Sequence, residues 1–254
     1  MSESDALALE CRGLTKRFGG LDAVNNVDLK IGVGERRAII GPNGAGKTTL
    51  FALISGEVPV TDGSIRLFER DITRMTSYRR VALGLGRTFQ ITNLFTTLSV
   101  LENLLIAAMG LRKMKFSMLR PLISNLDLMQ KAQKTLESIG MTEKANILIK
   151  NLSHGERRQI EIAMVLVTDP RLVLLDEPTA GLSPAESTMM TSIIKQLDPK
   201  ITVLIIEHDM DVAYQVADKI TVLNHGCVFS EGTQEEISND TKVQEIYFGK
   251  EDAC

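Results

Sequence analysis

Cysteine is scarce. Cys11, Cys227 and Cys254 stand far apart with no metal-ligand spacing, and an odd count argues against a disulfide framework. An excess of basic charge is also missing, since 29 Lys and Arg face 32 Asp and Glu for a formal charge of −3. That balance leaves no global basic surface for a nucleic-acid backbone or an anionic membrane, so nucleic acid is not an expected partner. Long apolar runs are lacking too: Leu172 to Leu175 and Val203 to Ile206 fall far short of the roughly 18 residues of a membrane span. Any link to a membrane is therefore expected to go through partner subunits. Met1 to Leu9 carries Glu3 and Asp5 and no basic flank before an apolar core, which does not read as a signal peptide and sets a cytoplasmic location as the default. No internal repeat or low-complexity segment is visible.

What the chain does have is the composition of an ordinary folded protein, 44% hydrophobic and 24% charged over 254 residues. Arg37 to Gly41, Leu172 to Leu175 and Ile201 to Ile206 are short apolar runs bounded by turn or charged residues, as buried strands are. Helical patterns separate them at Lys47 to Ser55, Glu156 to Val167 and Pro184 to Leu197. The alternation predicts an α/β fold with a mostly parallel core sheet covered on both faces. The part up to about Phe68 reads as shorter β-strands with glycine turns at Gly19-Gly20 and Asp62-Gly63.

Between Gln90 and Ser153 the strand signal gives way to helical periodicity, which predicts an inserted helical subdomain. Ser99-Val-Leu-Glu102 is a capping box that opens a helix running to about Met109. Leu128, Ala132, Leu136 and Ile139 mark one face of a second helix, and Gly140 is its natural stop. The expected organisation is thus one domain over 1–254, with a core from 1–90 and 154–254 and a helical insert at about 91–153.

Gly41-Pro-Asn-Gly-Ala-Gly-Lys-Thr48 has the P-loop pattern and lies between a predicted strand and a predicted helix. Glycines let backbone N–H groups wrap phosphate oxygens, the helix N-terminus adds positive potential, Lys47 brings charge to the β and γ phosphates, and Thr48 offers a hydroxyl to Mg²⁺. Leu172 to Glu177 is an apolar strand ending in two acids. A carboxylate buried there needs compensation, which makes Mg²⁺ a motivated partner for Asp176, and Glu177 is placed to polarise an attacking water. The strand Ile201 to Ile206 leads to Glu207-His208 at the same sheet edge, so His208 is expected to reach the γ-phosphate. No comparable argument applies to Glu207 or His225. Ser153 to Glu156 forms a further capping box, whose helix presents a positive end to an anion.

These segments, in this order and together with Gln90, resemble the ATPase subunits of ABC transporters over nearly the whole chain. The resemblance implies a P-loop NTPase of ABC type with an N-terminal antiparallel β part, ATP as substrate and Mg²⁺ as cofactor. It implies that Gly41, Pro42, Asn43, Gly44, Ala45, Gly46, Lys47, Thr48 and Thr49 bind ATP and that Phe18 stacks on adenine. Thr48, Gln90 and Asp176 would hold Mg²⁺, while Glu177, His208 and Gln90 serve catalysis. Ser153, His154, Gly155 and Glu156 correspond to the signature segment, which closes over ATP held by an opposite subunit. His154 stands where the family usually has glycine, Glu156 where glutamine is common, and Ser183 where the following loop usually has aspartate. The implied partners are a second cassette, identical or not, transmembrane permease subunits and, for an importer, a substrate-binding protein, with this subunit peripheral on the cytoplasmic face of the inner membrane.

Gly84 to Gln90, Leu94-Phe95, Leu98 to Asn103 and Glu161-Ile-Ala163 are similar to cassettes of branched-chain amino acid importers. Related cassettes serve urea or amide uptake, and one drives lipopolysaccharide export. A soluble ABC ATPase of DNA repair or translation would instead call for a coiled coil, tandem cassettes or a basic face, and a P-loop kinase or GTPase leaves the signature segment unexplained.

Overall fold

A computed structural model describes residues 6–88, 94–110 and 125–248. Strands β1 (Leu7–Phe18) and β2 (Leu21–Gly32) form an antiparallel hairpin turned at Gly19-Gly20. On its other side β1 pairs antiparallel with β4 (Asp62–Leu67), which carries the short β5 (Arg70–Asp71). Two expectations need correcting here. The first two strands are 12 residues each, and Asp62-Gly63 begins a strand rather than making a turn. Gly63 has φ +87 and sits by a register shift between Arg12 and Thr15, where an added Cβ would come 2.4 Å from the Gly13 carbonyl oxygen. An Asp-Gly pair serves a bulge as well as a turn, and only the neighbouring strand decides which.

The second sheet has the order β10-β9-β3-β8-β7-β6, formed by β3 (Arg36–Ile40), β6 (Leu85–Arg87), β7 (Leu172–Asp176), β8 (Thr202–Ile206), β9 (Lys219–Asn224) and β10 (Cys227–Gly232). All neighbours are parallel except β10 on β9. Leu172 and Leu174 pack into one apolar cluster with Leu14, Ile31 and Phe51, while Val173 and Leu175 pack into another with Ile162, Ile194 and Ile220. Because both faces are covered, the strand reads as an unbroken apolar run rather than an alternating one.

Helix α1 (Lys47–Ser55) follows β3 across the P-loop, and α2 (Ser77–Val81) precedes β6. Helices α3 (Val100–Met109), α4 (Leu126–Ser138) and α5 (His154–Leu166) share a third cluster around Leu104, Leu136, Ile149 and Ile160. The Ser99 capping box is formed, and Leu128, Ala132, Leu136 and Ile139 are all buried. Gly140, with φ +70, ends α4 as Met141 N–H donates back to the Leu136 carbonyl. Helices α6 (Pro184–Lys195), α7 (Met210–Val216), α8 (Gln234–Asn239) and α9 (Thr241–Phe248) complete the described chain, and no described helix is long and apolar enough to cross a membrane.

Candidate nucleotide site

The loop from Gly41 to Gly46 joins β3 to α1 under tight backbone constraint. Gly41 (φ +147) and Gly46 (φ +97) pass so close to their neighbours that a Cβ would lie 2.1 Å from the Leu223 carbonyl oxygen and 2.3 Å from that of Ala23. Alanine at either place would force the loop off its path. Gly46 caps α1 without a side-chain hydrogen bond, and the first turn of α1 holds no acid. Its N–H groups and dipole therefore face outward for an anion.

Lys47 is 5% exposed and donates to the carbonyls of Gly41 (2.6 Å) and Pro42 (2.9 Å), folding over its own loop. Burial pulls its ammonium below its ordinary pKa, while Glu177 and then Asp176 push it back up. A cleft of about 600 Å³ opens here, walled by Asn43 to Thr49, Phe18, Glu177, His208 and His225. Phe18, at the end of β1, is 48% exposed, so it is no core residue; Lys16 Nζ stands 4.8 Å from its ring centroid.

At the end of β7, Asp176 is fully buried. Its Oδ2 meets Arg87 Nη2 at 3.3 Å, and its Oδ1 has no hydrogen-bond partner among the described residues. Burial raises the Asp176 pKa, opposed chiefly by Arg87. Arg87 itself also holds Glu57 at 2.9 Å and the Ser55 hydroxyl at 2.8 Å, so it ties the C-terminal end of α1 to the buried acid. Glu177 has φ +47, uncommon for a side chain of its size; its N–H donates to the Ile206 carbonyl at 2.9 Å, and its Oε1 lies 2.6 Å from His208 Nε2. The two sheet-edge residues thus meet directly.

Ser153 caps α5 with the expected box: its hydroxyl accepts from Glu156 N–H, and Glu156 Oε2 accepts from Ser153 N–H at 2.8 Å. Lys144 holds the other Glu156 oxygen and is the main reason its pKa is lowered. Gly155 N–H donates to Glu186 Oε1 at 3.2 Å, and Glu186 completes a capping box with Ser183 on α6. None of Ser153 to Glu156 walls the nucleotide cleft. His154 lines a separate cleft of about 380 Å³ that also reaches Arg158, Glu161 and Glu177. Gln90 lies outside the described residues.

Two groups near the site escaped the sequence reading. His225 walls the cleft with φ +46, a backbone state no local pattern announced. Glu207 is 3% exposed, and its Oε1 accepts from the N–H (3.2 Å) and hydroxyl (2.9 Å) of Thr179, joining the turn after β7 to the turn after β8. Burial raises its pKa from 4.5 to about 7, Thr179 opposing and Glu177 adding to the shift. A folded-state value above the unfolded one means that the associated stability is full below about pH 4.5 and is lost as pH rises through about 7. Between pH 5 and 8 the chain is expected to lose up to about 3 kcal/mol that Glu207→Gln retains. Urea unfolding at both pH values measures this, and parallel curves for the two proteins would count against it.

A P-loop strand and helix, a buried acid followed by a second acid, and a histidine on the next strand edge define a nucleotide hydrolase of the P-loop class. The sequence profile of the ABC transporter family matches residues 24–180. The chain belongs to that family, as an ATP-hydrolysing cassette. It is 39% identical over 251 residues to the high-affinity branched-chain amino acid transport ATP-binding protein LivG of Salmonella typhimurium, covering 95% of this chain and 98% of that one. Its fold matches the ADP conformation of an ATP-binding cassette of an ABC transporter with TM-score 0.85 at 32% identity, over 96% of this chain and 99% of the other. A dimeric post-hydrolysis cassette bound to ADP and Pi matches with TM-score 0.75 at 25% identity, over 89% and 98%.

Proposed function

We propose that this chain binds Mg-ATP at its P-loop, closes on a second cassette and powers uptake of branched-chain amino acids through permease subunits at the cytoplasmic face of the membrane. The observation that carries the dimer reading is the separation within one chain: Lys47, Thr48, Glu177 and His208 share the cleft, while the α5 N-terminus at Ser153 and Gly155 does not border it. A second copy supplies that helix end to the γ-phosphate, as the dimeric relative bound to ADP and Pi supports. The cargo assignment rests on the likeness to LivG. A substrate-binding protein completes an importer of this kind.

The site suits Mg²⁺. Among the described residues Asp176 leaves one buried carboxylate oxygen unpaired, and Thr48 adds an exposed hydroxyl, both hard oxygen donors; Gln90 would be a third. When bound, the ion would neutralise charge on the β and γ phosphates. Lys47 does the same from the loop. Glu177 orients the attacking water once ATP draws His208 away to the γ-phosphate, and Phe18 offers its exposed ring to adenine.

Helices α3 and α4, within the stretch of about 91–153, belong to the helical subdomain of this reading. An apolar groove of about 290 Å³, walled by Val81, Leu85, Leu94, Ala107, Met164 and Val165, receives a helix of the permease beside Arg87. Glu177→Gln removes the base while keeping the turn, so ATP is expected to trap a stable dimer with turnover at least about 100-fold lower. Light scattering that finds only monomer under saturating ATP would contradict the dimer reading.

A further inference from the structure

Arg158 lies on the buried side of α5, little more than a turn beyond Ser153, and is 9% exposed. Its Nη2 donates to the carbonyls of Asp176 (3.0 Å) and Glu177 (2.8 Å), and its Nε reaches that of Pro178 at 3.4 Å. Its Nη1 donates to Glu161 Oε2 at 2.7 Å, which balances the buried charge within α5. One guanidinium thus spans three consecutive carbonyls around the residue assigned to orient water. That turn requires holding. Glu177 is left-handed at φ +47, a state that a non-glycine residue holds only where its surroundings impose it. From the other side, Ile206 of β8 accepts the Glu177 N–H.

We propose that Arg158 is a positioning residue for hydrolysis: it holds the strained Glu177 turn and ties it to the helix whose first residues meet the partner's ATP. A planar fork suits this task as an ammonium does not, because it can donate along several directions at once. The proposal rests on the dimer reading above for its second half. Helix α5 is 13 residues long and continuous, so movement of Ser153 onto the partner's γ-phosphate carries Arg158 with it. Glu177 of one site is thereby aligned when the other site is filled, which couples the two sites of the dimer.

The test uses the full chain and its ATP-induced dimer. Arg158→Gln is expected to lower kcat per bound ATP at least 30-fold while KM for ATP stays within threefold, with Arg158→Lys recovering part of the loss. A purely structural role would instead lower the fraction of sites that bind ATP and leave kcat per bound site unchanged, and that result overturns the proposal. In dimers of two differently tagged copies, Arg158→Gln on the same copy as Glu177→Gln is expected to spare the opposite site. Placed on opposite copies, the two changes remove nearly all turnover, and equal activity of the two arrangements overturns action on the residue's own Glu177. If Arg158→Gln fails to fold, Arg158→Lys carries the same comparison, and parental kcat in that variant overturns the proposal. Absence of an ATP-trapped dimer in Glu177→Gln overturns the dimer reading alone; a kcat within threefold of the parent in Arg158→Gln overturns this inference whether or not dimers form.

Discussion

Lys47→Ala is expected to reduce ATP turnover at least about 1,000-fold, through loss of charge at the phosphates and of the loop's internal support together. The ammonium is the loop's own cation, 5% exposed, and it spans the carbonyls of Gly41 and Pro42. Removing it leaves those two carbonyls without their donor and takes away one of the cations that face Glu177 and Asp176. Burial lowers the Lys47 pKa, Glu177 and then Asp176 oppose that shift, and the variant lacks the side chain that reaches the β and γ phosphates. Calorimetric titration with ATP and a phosphate-release assay check both parts. Turnover within tenfold of the parent would mean that the α1 N-terminus alone carries the phosphate.

Arg80→Ala is expected to cost about 3–5 kcal/mol of stability, corresponding to a melting temperature lower by roughly 10 °C for a chain of this size. Arg80 is 2% exposed and, among the described residues, pairs with no carboxylate; it donates to four carbonyls, those of Leu53 (2.6 Å), Ile54 (2.8 Å), Met75 (3.0 Å) and Thr73 (3.1 Å). Two of these belong to the last turn of α1, where a cation also answers the negative end of the helix dipole. Burial lowers the Arg80 pKa, yet the guanidinium keeps its charge at any ordinary pH. Gly56 is part of the same joint, since a Cβ there would come 2.7 Å from Arg80 Nε. Denaturant unfolding measures the loss, and a change below about 1 kcal/mol would show that water replaces the guanidinium at those carbonyls. The same burial that makes Arg80 costly to remove leaves Cys11 inert, its thiol pushed up to about 12.

Much of the site was legible because its signals are local. The P-loop glycines, the run Leu172 to Asp176 and the capping boxes at Ser99 and Ser153 each lie within a few residues of chain, and each formed where its pattern placed it. The parallel strands carry Glu177 and His208 to one edge, where they touch. Asp62-Gly63 was misread for the same reason that the others were read: its local chemistry fits both a turn and a bulge.

Long-range polar partners were not legible. Arg87 meets Asp176 across 89 positions, Glu207 meets Thr179 across 28, and Arg80 meets Leu53 across 27. A charged residue on a helix or strand end reads from sequence as a solvated one, because solvation is the usual outcome. Whether it is buried depends on what the other layers place over it.

The sequence by itself determined the phosphate loop, the acids at the end of β7, the helix caps and the alternating α/β order, since each follows from torsional preference, periodicity or a hydrogen bond a few residues long. The tertiary structure alone decided which charges are buried and with whom: Arg80 on four carbonyls, Arg87 on Asp176, Arg158 on the turn at Glu177, Glu207 on Thr179. Burial and pairing arise only when the two sheets and α5 close over one another, and that closure is where the low dielectric that sets their pKa values and strengths is made.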